Sequence, residues 1–75
     1  MNELMEVLEN LRPDVDFENE TALVTDGVLD SFDIVGLVSE LNDTFDIEIG
    51  PSDLVPENFN SAEAIWALVE KLQDE

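Results

Sequence analysis

The sequence predicts an all-α fold, a small bundle of three main helices and one short helix with a long first loop. Three observations carry that reading. Apolar residues recur at helical spacing in three separate segments. All prolines (Pro13, Pro51 and Pro56) fall between those segments. The stretch from Asp14 to Leu29 keeps no sustained period, yet it is rich in apolar side chains.

The first helix is expected over Asn2–Leu11. Leu4, Leu8 and Leu11 fall at i, i+4 and i+7 with Met5 beside them, while Glu3, Glu6 and Glu9 lie outside. Pro13 ends the helix, and Arg12 is expected in its last turn, where a cation suits the dipole. The loop over 14–29 contains the turn signal Asp26-Gly27. It also contains Val15, Phe17, Leu23, Val24, Val28 and Leu29, so it is expected to pack across the core.

The second helix is expected over 30–45, with Asp30 as N-cap and Asp33 placed to reach back in a capping box. Ile34, Leu37, Val38, Leu41 and Phe45 form one face. Gly36 lies inside this helix at a cost of about 1 kcal/mol against alanine, and its spacing from Ile34 places it on the outer face. "DIEIGP" alternates like an extended segment, and "PSDLVPENF" is expected to make one or two short turns. The last helix is read from "NSAEAIWALVEKL", with Asn60 as cap and Glu63 completing a capping box. Ile65, Leu68, Val69 and Leu72 form its inner stripe, flanked by Trp66.

A chain of 75 residues is expected to be one domain over 1–75 with a small core. Twenty acids against two bases, Arg12 and Lys71, give a net charge of −18. That sign argues against nucleic acid and anionic lipid as partners and favours basic proteins. With 44% hydrophobic residues in a regular pattern, the chain reads as folded rather than disordered. The apolar runs are too short to insert in a membrane, no signal-peptide pattern opens the chain, and a cytoplasmic monomer is expected.

Independent catalysis is disfavoured. The chain has no histidine and no cysteine, so Ser31 has no partner to activate it and no thiolate metal site can form. No metal site is assigned. The best match to a calcium loop starts at Asp14, with Asp16 and Glu18 following, but Asn19 stands where glycine is required and Thr25 where glutamate is required. On its own, the pair Asp30-Ser31 means only that a helix starts there.

The wider context gives Ser31 a second meaning. "DGVLDSFDIVGLVSELNDTFDIEI" and "PENFNSAEAIWALVEKL" resemble the acyl and peptidyl carrier protein family, in the form of a discrete carrier. The likeness runs over roughly 4–72. Asp30, Ser31 and Phe32 occupy the Asp-Ser-Leu motif that opens the family's acidic helix. The resemblance implies an acyl-carrier-like bundle that catalyses nothing. It implies a 4′-phosphopantetheine arm on Ser31, transferred from coenzyme A by a magnesium-dependent phosphopantetheinyl transferase. An acyl group, in fatty-acid or secondary-metabolite synthesis, would then travel as a thioester on that arm between synthase enzymes with basic docking surfaces.

The resemblance also implies a docking face on the second helix. Asp30, Phe32, Asp33, Gly36, Glu40 and Asp43 are its candidates. Phe32 replaces the family's usual leucine, Gly36 stands where an acidic or polar residue is often found, and Ser39 is uncharged. These departures leave open an aminoacyl carrier of the D-alanyl type, or a peptidyl carrier, loaded by an adenylating ligase. The reading of another class is an acidic interaction module in which Ser31 only starts a helix.

Overall fold

The computed structural model describes residues 2–74, and the two terminal residues of the expected domain lie outside that range. The described residues form four helices and no strand: α1 (Asn2–Leu11), α2 (Ser31–Phe45), α3 (Pro56–Phe59) and α4 (Ala62–Gln73), with a single 3-10 turn at Pro51–Asp53. The all-α bundle expected from periodicity is therefore the fold.

The core is assembled from one stripe of each long helix. Leu4 and Leu8 of α1, Leu37 and Leu41 of α2, and Ile65 and Val69 of α4 are fully buried. Each such side chain contributes roughly 1.5–3 kcal/mol relative to exposure. The long loop fills the space the helices leave. Phe17, Leu23 and Leu29 are buried in the same cluster, and Val15, Val24 and Val28 pack against it. The Asp26-Gly27 turn is real, with Gly27 at φ 77°, a value that favours glycine.

The segment after α2 leaves through Asp46, which adopts a left-handed conformation at φ 54° and whose N–H donates to the Asn42 carbonyl. Beyond it, Ile47 is buried, Glu48 exposed and Ile49 half-buried. The alternation seen in the sequence therefore reports burial in an extended segment with no ladder. Phe45 and Trp66 meet edge to face at 5.9 Å between ring centroids, joining α2 to α4.

Three expectations require correction. Asn60 does not cap α4. Ser61 does, accepting from the Ala64 N–H at 3.1 Å, and Asn60 ends α3 in helical conformation instead. The amide oxygen of Asn60 accepts from the Val24 and Thr25 N–H groups at 3.0 Å each and from the Thr25 hydroxyl at 3.2 Å. Its carbonyl accepts from the Leu23 N–H at 2.8 Å. Arg12 lies just beyond α1, and its charge goes to carboxylates rather than to the helix end. Gly36 is not on the open outer face. A β-carbon there would stand 3.5 Å from Leu11 Cδ1, because the end of α1 packs against that flank of α2.

Candidate functional site around Ser31

Ser31 is the first residue of α2 and is exposed. Two constraints place it. From one side, the Asn60 clamp holds Leu23–Thr25, and the Leu29 N–H donates to the Leu23 carbonyl at 2.8 Å. That pairing closes the loop immediately before Asp30. From the other side, the capping box forms as the sequence predicts. Asp30 Oδ1 accepts from the Asp33 N–H at 3.0 Å, and Asp33 Oδ2 accepts from the Asp30 N–H at 3.3 Å. Ser31 is thus held between an anchored loop and a closed first turn. The unpaired N–H groups of that turn and the positive end of the dipole favour an anion at its hydroxyl.

A second layer supports the box. Arg12 Nη1 donates to Asp33 Oδ2 at 2.7 Å and to the Val28 carbonyl at 3.2 Å. Its Nε and Nη2 donate to the two oxygens of Asp14 at 3.2 and 3.3 Å. The hydrogen bond from Arg12 holds the Asp14 carboxyl below the usual carboxylate range, and the Arg12 guanidinium is raised in turn, first by that same bond.

Around Ser31 the surface is apolar. A shallow cleft of about 440 Å³ is lined by Val24, Leu29, Asp30, Ser31, Ile34, Val35 and Leu54. A smaller one of about 110 Å³ continues past Leu54 to Val55, Pro56 and Phe59. Phe32 is 88% exposed and Val35 69% exposed. A larger concavity of about 630 Å³ lies between α1 and α2 and does not reach Ser31.

The six candidate docking residues do not share one face. Asp30, Phe32 and Asp43 are exposed. Glu40 is exposed too but lines the concavity toward α1, beside Glu3 and Glu6. Asp33 has only 17% of its side chain exposed and is engaged by Arg12. Gly36 faces Leu11. Sequence reasoning missed Val35, Leu54 and Val55, all exposed apolar residues. Helical spacing could have found Val35, which falls outside the buried stripe of α2. Leu54 and Val55 lie in an aperiodic connection that gives no such signal.

Comparison with known families decides the class. The phosphopantetheine attachment-site family matches residues 2–69. The chain belongs to that family. Phosphopantetheine attachment-site proteins are carriers that other enzymes modify, and they catalyse nothing themselves. Their covalent cofactor is 4′-phosphopantetheine. The residues present fit such a group, because an exposed serine opens a helix at the mouth of an apolar cleft. D-alanyl carrier proteins are among the similar proteins. Those of Lactococcus lactis subsp. lactis and of two strains of Lactococcus lactis subsp. cremoris are each 36% identical over 67 residues, covering 89% of this chain and 80% of the relative. No helix among the described residues is long and apolar enough to cross a membrane.

Proposed function

We propose that the chain is an aminoacyl carrier whose 4′-phosphopantetheine arm is attached at Ser31 and whose cargo is D-alanine or a similarly small amino acid. The position of Ser31 supports the attachment. It is the exposed first residue of a fixed helix start, beside an apolar cleft. In the modification, the Ser31 oxygen bonds to the β-phosphorus of coenzyme A. The bond from that phosphorus to adenosine 3′,5′-bisphosphate breaks, and the transferase takes the serine proton. Ser31 therefore needs no base of its own. When attached, the arm offers a thiol that holds cargo as a thioester.

The likeness to D-alanyl carrier proteins supports an amino acid as cargo over the fatty-acyl cargo that the resemblance to acyl carrier proteins implied. The surface is consistent with it. Phe32, Val35 and Ser39 make the outward ridge of α2 apolar or neutral, which suits an adenylating ligase with an apolar contact centre and basic margins for Asp30 and Asp43. We place this exchange in the cytoplasm. The test is a loading competition. Holo-protein is offered D-alanine with ATP and a D-alanine-activating ligase, or fatty acids with ATP and an acyl-carrier synthetase. Intact mass should show the D-alanyl thioester forming faster, and faster fatty acylation would return the acyl reading.

A further inference from the structure

Arg12 touches three segments of the fold at once. Its guanidinium lies at the end of α1, holds the Val28 carbonyl near the end of the long loop, and pairs with Asp33 in the first turn of α2. The oxygen of Asp33 that it takes, Oδ2, is the one that accepts from the Asp30 N–H. Arg12 and Asp30 are therefore linked through the one Asp33 carboxylate, and Ser31 is the residue that follows Asp30. The Arg12–Asp33 pair is part-buried, with side-chain exposures of 32% and 17%, so solvent screens it less than the Arg12–Asp14 pair, where Asp14 is 68% exposed.

Charge gives that link a second consequence. The chain carries −18 and has one other cation, Lys71, in the last turn of α4. Ser31 is flanked by Asp30 and followed two residues later by Asp33. Any anionic phosphorus centre brought to its hydroxyl meets both carboxylates. Arg12 offsets one of them, Asp33, through a 2.7 Å contact.

We propose that Arg12 is a positioning residue for modification of Ser31. It fixes the first turn of α2 and offsets the Asp33 charge without contacting the transferred group. The inference rests on Ser31 being the attachment site. Its action falls on the rate of the bound complex rather than on docking, because the Arg12 guanidinium is occupied by Asp33, the Val28 carbonyl and Asp14 while Phe32 and Val35 stand exposed.

The experiment measures transfer from coenzyme A by a promiscuous transferase for wild type, Arg12→Ala, Arg12→Lys and Asp14→Asn, beside amide hydrogen exchange of the unmodified proteins. Arg12→Ala should lower kcat about fivefold with KM within about twofold. Exchange at the Asp30 and Asp33 amides should rise while α4 stays protected. Arg12→Lys, which keeps the charge and loses the fork, should restore only part of kcat, and Asp14→Asn should stay within about twofold of wild type. Unchanged kcat, a loss confined to KM, an equal loss in Asp14→Asn, or a loss that only tracks the unfolded fraction would overturn the proposal. If wild type itself is not modified, the attachment reading fails, and the exchange data still decide whether Arg12 holds the turn.

Discussion

Phe32 and Gly36, both departures from the carrier pattern, separate cleanly in the structure. Phe32 is 88% exposed beside Ser31 and contributes little to the core. Phe32→Asp should leave stability within about 0.5 kcal/mol, while transfer of the arm or loading slows measurably. A variant that unfolds, or transfers normally, would remove Phe32 from the docking surface. Gly36 behaves differently. A methyl group there would stand 3.5 Å from Leu11 Cδ1, an ordinary contact, in a helix that disfavours glycine. Gly36→Ala should therefore stabilise the domain by about 0.5–1 kcal/mol in a urea or thermal melt. Gly36→Glu reads differently from the structure than from spacing alone, since its longer chain meets α1 and its cost is to the fold. A destabilised Gly36→Ala variant would show that α1 and α2 pack more tightly than described.

At the scale of elements, what was legible in the sequence was local. Leucine and isoleucine spacing located α1, α2 and α4, and the Asp30–Asp33 box formed because both partners lie within one turn. What was not legible was long-range. Asn60 looked like a helix cap three residues before Glu63. Its amide oxygen instead accepts from two loop N–H groups 35 and 36 positions away. Nothing in the local pattern distinguishes those two uses of asparagine. The same holds for Arg12, whose bond to Asp33 spans 21 positions. Asn60→Ala leaves two N–H groups and a hydroxyl without their acceptor, and it should cost about 1–3 kcal/mol with faster amide exchange at Val24 and Thr25. Ser61→Ala removes only the α4 cap and should cost about 1 kcal/mol with the loop unaffected. Equal costs with a quiet loop in both variants would contradict the clamp.

Across the whole molecule, a chain with a net charge of −18 folds into a body whose Cα extents are 31 × 24 × 19 Å over the described residues. The Debye length of about 10 Å at 0.1 M salt is close to the spacing of neighbouring packed helices, so carboxylates on adjacent helices still repel one another and added salt weakens that repulsion. Salt should raise the melting temperature. Magnesium should raise it further than sodium at equal ionic strength, through weak binding to the folded state. A gain of about 1 kcal/mol corresponds to roughly 4–8 °C for a domain of this size. A melting temperature that stays flat from low to high ionic strength would mean that the acids are compensated locally. In the proposed role the same charge would draw basic partners toward the apolar cleft beside Ser31. Attachment at Ser31 is the claim on which that account turns, and intact mass tests it most directly. After incubation with coenzyme A, magnesium and a promiscuous transferase, wild type should gain one phosphopantetheinyl group and Ser31→Ala none. A group found on Ser39, Ser52 or Ser61, or no gain with a transferase proven on another carrier, would contradict it.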